Sequence, residues 1–218
     1  MKSTWAGVAK AFGFICVLMV MGLAGCGALV NIANVIWGNK APAEYSGLEG
    51  QRVAVVCVMK SARYGRDRTP DMLARLVELT LQKEVKGIEI IPHEEVANWT
   101  DNHDWEDVDF HEIGRAVNAE RVLAIELSSY SLHEGQTLYK GRADVEVNVH
   151  DIADRGRVKF HKELFDFEFP VNGGRPTVGN SEKKFEQKFL RMLSVRIANY
   201  FYDYDVATVY ASDASMLD

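Results

Sequence analysis

The sequence has no excess of basic charge. Lys and Arg number 25 against 31 Asp and Glu, which gives a formal net charge of −6 at pH 7. Because phosphate groups are bound by basic surfaces, this balance argues against a nucleic-acid partner. It also argues against attraction to anionic lipid by charge alone. We therefore expect no nucleic-acid binding and no purely electrostatic contact with a membrane.

Complete catalytic motifs are also missing. His93 and His111 each begin a stretch that starts like the zinc-protease motif H-E-x-x-H, but Ala97 and Arg115 stand where the second histidine is needed. Neither a P-loop nor a G-x-S-x-G elbow is present. We predict a protein that is not an enzyme and needs neither a metal nor a cofactor. The alternative is a metal-dependent envelope enzyme in which His93, His103 and His111 converge in the fold.

Charge is absent from a long stretch near the N-terminus. Lys2 and Lys10 precede residues 11–38, which contain no charged side chain. A positive segment followed by an apolar one is typical of an export signal. The stretch is also long enough to span a bilayer, so an uncleaved anchor with Lys2 and Lys10 inside is the alternative.

Within this stretch, Leu23-Ala24-Gly25-Cys26 resembles the lipobox of bacterial lipoproteins. The resemblance implies cleavage between Gly25 and Cys26, and lipid on the new N-terminal cysteine. It places the rest of the chain on the periplasmic side of a bacterial envelope. Gly27 follows, whereas an Asp at this position retains many Gram-negative lipoproteins in the inner membrane. The outer membrane is therefore favoured.

Cleavage would change both the charge and the thiol content. Residues 1–25 carry two lysines and no acidic residue, so the net charge falls from −6 to −8. Cys16 would be removed and Cys26 blocked by lipid. Cys57 would then be the remaining thiol, with no partner for a disulfide, and its apolar neighbours predict a buried side chain that behaves as a small hydrophobe.

The mature chain is expected to form one domain on a tether. Residues 26–51 are interpreted as the lipidated cysteine and a polar, turn-rich tether. Residues 52–202 are predicted to form a periplasmic domain. Residues 203–218 are interpreted as an acidic tail.

Hydrophobic patterns within residues 52–202 indicate strands and helices in alternation. Arg52–Met59 is a continuous apolar run, typical of a strand buried on both faces. Thr69 is predicted to be the N-cap of a helix, and 181–202 is predicted to form the closing helix. A change of parity in the last strand predicts a bulge near Leu164. We predict an α+β fold, with a mixed, largely antiparallel sheet of about five strands flanked by helices.

One strand shows an unusually clear alternation. Its apolar and polar residues predict that one face is buried and the other is not. The apolar set is Ala143, Val145, Val147 and Val149, and the polar set is Asp144, Glu146, Asn148 and His150.

Two tryptophans lie at an acidic loop: Trp99 directly precedes residues 100–107, and Trp105 lies within them. Trp99 and Trp105 are candidate partner-binding residues, because aromatic side chains are enriched among binding hot spots. The alternative is that both cover the edge of the helix–sheet packing.

Three stretches resemble a group of periplasmic domains. They are Arg52–Val58, Asp109–Ile125 and Ala143–Gly156. The group includes the N-terminal domain of TolB, the curli-secretion lipoprotein CsgG and lipoprotein activators of penicillin-binding proteins. The resemblance implies the same α+β fold, whereas the varied functions of the group do not transfer. We predict a membrane-anchored envelope lipoprotein that acts as a binding or assembly module with an envelope protein partner; the alternative is an oligomeric secretion-channel component.

Overall fold

The computed structural model describes residues 40–60, 68–100 and 108–207. The predictions on Gly25, Cys26, His103 and Trp105 lie outside these residues. The strands are β1 (Lys40–Ala41), β2 (Arg52–Met59), β3 (Glu89–Ile90), β4 (Arg121–Glu134), β5 (Leu138–Asp151), β6 (Arg157–Phe169), β7 (Arg175–Pro176) and β8 (Tyr204–Asp205). The helices are α1 (Thr69–Glu84), α2 (His93–Thr100), α3 (Phe110–Ala116) and α4 (Glu182–Ala198).

The main sheet is mixed, with the strand order β3-β2-β4-β5-β6. β2 is parallel to β3 and β4, whereas β5 is antiparallel to both of its neighbours, β4 and β6. The predicted α+β fold with its largely antiparallel sheet is confirmed. A sixth strand, β7, pairs with the start of β5; it lies in a glycine-rich stretch where no apolar pattern marks a strand.

The first face of the sheet carries the main core. α1 and α4 cover it, and their buried residues pack with those of β2, β4 and β5. Phe189 on α4 is fully buried at the centre, with ring contacts to Tyr130 and Phe167. This face takes the apolar residues of β5 that the alternation predicted, including Val145 and Val147.

The second face carries a smaller core. α2 and α3 cover the parallel part of the sheet, where Ala54 and Val56 of β2 and Val122 of β4 pack against Ile113 of α3. Apolar residues on both faces of β2 are thus buried, as its continuous apolar run predicts.

The predicted bulge in β6 is confirmed. Val145 pairs with Leu164 and Ala143 pairs with Phe167, so two residues of β6 stand opposite the single residue Asp144. One of them, Asp166, has a φ of 51°, and its N–H donates to Asp144 Oδ1 at 2.8 Å. The extra residue reverses which side chains of β6 face the main core. Leu164 and Phe167, three residues apart, therefore both pack against it.

The start of α1 differs from the sequence prediction. The N-cap is Arg68, and Thr69 is the first residue of the helix. The Thr69 hydroxyl donates to Glu186 Oε1 on α4 at 3.2 Å instead of capping α1. The closing helix α4 also ends earlier than predicted, at Ala198.

The folded part of the chain begins before Arg52 and continues past residue 202. Leu48 is fully buried in the main core, and β1 pairs with β8 in a separate two-stranded sheet. Parts of the segments interpreted as tether and tail therefore pack with the domain. Across the described ranges, no helix combines the length and apolar character that crossing a bilayer requires.

Candidate functional site

Polar side chains occupy the second face of the sheet beyond the small core. Glu126 of β4 stands directly opposite Glu146 of β5, and Asn148 of β5 stands directly opposite His161 of β6. Lys60, which follows β2, reaches the same place. We call Lys60, Glu126, Glu146, Asn148, His161 and Glu163, which stands opposite Glu146 on β6, the open polar face.

The two facing carboxylates are held together by shared donors. Like charges directly opposite each other on neighbouring strands destabilise a sheet. Here Lys60 Nζ lies 2.7 Å from Glu146 Oε2 and 3.1 Å from Glu126 Oε2. Asn148 Nδ2 donates to Glu146 Oε1 at 3.0 Å and to Glu126 Oε1 at 3.4 Å. One ammonium and one amide therefore bridge both carboxylates and offset their repulsion.

These contacts favour the charged forms of the groups. The hydrogen bond from Lys60, followed by that from Asn148, lowers the pKa of Glu146. The hydrogen bonds to Glu146 and Glu126 raise the pKa of Lys60. Glu146 and Lys60 therefore stay charged at neutral pH.

A histidine lies at the rim of this network. His161 Nδ1 lies 2.8 Å from Asn148 Oδ1 and 3.7 Å from Glu146 Oε1, and the His161 side chain is 50% exposed. Glu163, two residues further along β6, is equally exposed, with Oε1 3.9 Å from His161 Nε2. Asn148 itself is buried, so the network is open to solvent at its β6 edge and not at its centre.

The histidines of the incomplete zinc motifs have other surroundings. His93 is buried, with Nδ1 3.2 Å from Glu78 Oε1 on α1, whereas His111 lies on α3 beside Gly156. Within residues 40–60, 68–100 and 108–207, no group of three or more His, Cys, Asp and Glu could hold a metal ion. The side chains of the open polar face can form ion pairs and hydrogen bonds.

Removing the imidazole of His93 is expected to destabilise the fold. The side chains of His93 and Glu78 are 8% and 10% exposed, so His93→Ala would leave a buried carboxylate without this partner. Loss of a hydrogen bond to such a group costs about 2–3 kcal/mol. Urea unfolding of the purified protein measures the change in the free energy of unfolding.

Arg75 and Glu94 supply the matched control for this variant. They form an ion pair of 2.9 Å between the same two helices, with side chains 50% and 65% exposed. Exposed pairs contribute about 0–1 kcal/mol, so Glu94→Ala should change stability little. Equal losses in the two variants would contradict a special role for the buried pair.

Trp99 packs against the small core. It lies on α2, is partly buried, and borders the same cluster as Val58 of β2. Val58 precedes Lys60 by two residues on the chain. The role of Trp99 in partner binding stays a prediction.

Sequence reasoning missed the open polar face as a site. The alternation in β5 predicted that Glu146 and Asn148 share a face turned away from the core, and this signal could have marked its centre. No local pattern connects them to Lys60, which lies 86 residues before Glu146.

Comparison with known proteins finds likeness only among solved structures. No family model and no curated protein matches the chain. The PelC dodecamer from Paraburkholderia phytofirmans is 12% identical, covering 74% of this chain and 91% of that one, with a TM-score of 0.41. Lipoprotein GNA1162 from Neisseria meningitidis is 14% identical, covering 68% and 98%, with a TM-score of 0.44. The LpoB C-terminal domain from Salmonella enterica is 9% identical, covering 53% and 82%, with a TM-score of 0.36.

The solved structures that this chain resembles thus include bacterial lipoproteins. Likeness at these identities and TM-scores transfers no activity or partner. The resemblance to the group of TolB and CsgG stays a prediction.

Proposed function

We propose that the chain is a non-catalytic lipoprotein of the bacterial envelope, anchored through lipid on Cys26 at the periplasmic side of the outer membrane. Its folded domain binds an envelope protein through the open polar face. The observation that carries the binding role is the unequal cover of the second sheet face. Of the described helices, α2 and α3 pack mainly against β2 and β4, while most of the open polar face occupies the part of the sheet formed by β5 and β6.

The charges of this face suit a basic protein surface. Lys60 contributes one positive charge against the negative charges of Glu126, Glu146 and Glu163. Because Lys60 and Asn148 already contact both oxygens of Glu126 and of Glu146, these two side chains have little entropy left to lose on binding. Partner Lys or Arg side chains would meet the exposed carboxylate of Glu163, which is 50% exposed.

Aromatic contacts with the partner would add to the charged ones. Trp99 on α2 is partly exposed, and Trp105 follows it in the acidic 100–107 segment. Complementary charges accelerate association and set the orientation of the partner, while aromatic side chains contribute most to hot spots. We therefore propose that Trp99 and Trp105 also contact the partner.

Crosslinking followed by capture from native envelopes tests the binding role. Reversing the charge in Glu163→Lys is expected to lower recovery of the partner about tenfold, equivalent to about 1.4 kcal/mol. Trp105→Ala is expected to lower recovery as well. The control is Glu49→Lys, which reverses an exposed charge outside the open polar face.

The pattern of recovery decides the outcome. A partner that is lost with Glu163→Lys but retained with Glu49→Lys supports the proposal. Equal recovery with wild type and every variant would contradict the assignment of the surface, and failure of the wild-type protein to capture any protein would contradict the binding role.

A further inference from the structure

The two ends of the described chain lie side by side. In the β1–β8 pair, Lys40 is opposite Asp205 and Ala41 is opposite Tyr204. The Ala43 N–H donates to Asp203 Oδ1 at 2.9 Å. We call residues 40–45 and 200–207 together the anchor end, because the segment that leads from Cys26 joins the domain here.

Helix α4 separates the anchor end from the opposite end of the domain. It begins at Glu182, where Oε2 lies 3.3 Å from His133 Nε2 near the tip of the β4–β5 hairpin. It has 17 residues and is therefore about 25 Å long. Val178, which is 87% exposed, lies in the loop just before α4 and thus far from β1 and β8.

Tyrosines are concentrated at the anchor end. Tyr202 and Tyr204 are both partly exposed, and their rings meet edge to face at 6.4 Å. Tyr45 and Tyr200 lie behind them, packed with Phe201. Tyr has an apolar ring and a polar hydroxyl, and it is enriched where a membrane meets water.

The carboxylates of the anchor end are occupied within the protein. Glu44 Oε2 accepts from Lys162 Nζ at 2.6 Å. Asp203 accepts from the Ala43 N–H, and Asp205 Oδ1 accepts from the Ala207 N–H at 2.9 Å. The ion pair with Lys162 offsets the negative charge of Glu44 and so weakens its repulsion of anionic lipid headgroups.

The sequence before β1 leaves little polar chain between lipid and domain. Residues 28–37 carry no charge, and only Gly38 and Asn39 stand between them and Lys40. Apolar side chains gain free energy by entering the headgroup–acyl boundary. A domain attached directly after such a run is held with β1 next to the bilayer.

We propose that the anchor end contacts the bilayer surface in a fixed orientation, with Tyr202 and Tyr204 among the lipid headgroups and the loop of Val178 directed away from them. This inference rests on the proposed lipid anchor at Cys26. It adds a second, non-covalent membrane contact made by the folded domain.

Quenching of site-specific fluorophores by lipid tests the orientation. The acylated full-length protein is reconstituted in vesicles of phosphatidylethanolamine and phosphatidylglycerol that contain headgroup-nitroxide lipid. A thiol-reactive fluorophore is placed at Ala207→Cys or at Val178→Cys, since Cys57 is buried. We expect several-fold stronger quenching at position 207. Tyr204→Ser should reduce that quenching, whereas Phe165→Ser, which removes another exposed aromatic ring, should not.

Vesicle flotation separates this inference from the proposed anchor. Protein that floats with vesicles but is quenched equally at both positions would overturn the fixed orientation and leave the anchor intact. Protein that does not float would overturn the anchor and the orientation together. Equal quenching with Tyr204→Ser and wild type would overturn the role of the tyrosine.

Discussion

Replacing Cys26 by serine is expected to abolish fatty-acyl labelling of the protein completely. The lipobox resemblance assigns the lipid to the thiol at this position, and a serine hydroxyl lacks the thiolate that makes cysteine a nucleophile. Without acyl chains, the mature domain also loses the covalent part of its membrane attachment. Because even one acyl chain gives only marginal binding, removal of all chains should weaken membrane attachment strongly. Metabolic labelling with a radioactive or clickable fatty acid measures the change directly.

Cys57→Ala provides the control for that experiment. Cys57 is buried in β2, and burial raises the pKa of its thiol well above the usual value, so it is protected from acylation in the folded protein. Labelling of Cys57→Ala should equal that of wild type. An unlabelled wild-type protein that stays in the membrane fraction would contradict lipidation and favour the uncleaved anchor.

Replacing Phe189 by alanine is expected to cost about 4 kcal/mol of unfolding free energy. The Phe189 ring is fully buried, and its centroid lies 5.7 Å from that of Tyr130 and 5.8 Å from that of Phe167. Gly141 on β5 leaves room for it, because a Cβ there would clash with the ring. Since backbone lies against that side of the ring, the neighbours cannot easily fill the cavity. Urea unfolding measures the loss as a lower transition midpoint.

Phe165→Ala is the matched control, because it removes the same side chain from the surface. Phe165 is 61% exposed, and surface substitutions of this kind usually change stability by about 0.5 kcal/mol or less. A loss in Phe165→Ala as large as that in Phe189→Ala would contradict the assignment of the core.

Patterns that repeat over many residues predicted the fold. The apolar run of β2 and the alternation of β5 are long enough for the burial of side chains to determine the structure. β7 pairs through Arg175 and Pro176 alone, and β8 through Tyr204 and Asp205. Two residues cannot show a period, so only contacts between distant parts of the chain define these strands.

The capping error at Thr69 has a related cause. Thr is a favoured N-cap residue, but the hydroxyl of Thr69 bonds to Glu186 on α4. The sequence around residue 69 contains no sign of a partner that lies 117 positions later. A tertiary hydrogen bond therefore replaced the local one.

The sequence predicts only part of the candidate site, namely the residues on β5. The alternation of apolar and polar residues in β5 placed Glu146 and Asn148 on the face away from the main core. The same alternation occurs in any strand with one face in water, so it does not by itself indicate a site. The bridging contact from Lys60 depends on the parallel pairing of β2 with β4, which brings Met59 opposite Leu127. The histidine motifs, which have a recognisable local spacing, belong to separate environments.

Antiparallel pairing of β1 with β8 also determines how the domain would respond to force. Tension applied between the two chain ends would pull Lys40 away from Asp205 and then Ala41 away from Tyr204, opening the ladder one rung at a time. Strands that separate one residue pair at a time come apart under a small force. The strands of the main sheet would carry no tension until the two residue pairs of β1 and β8 had separated. The small two-stranded sheet would therefore open first and protect the rest of the domain from unfolding.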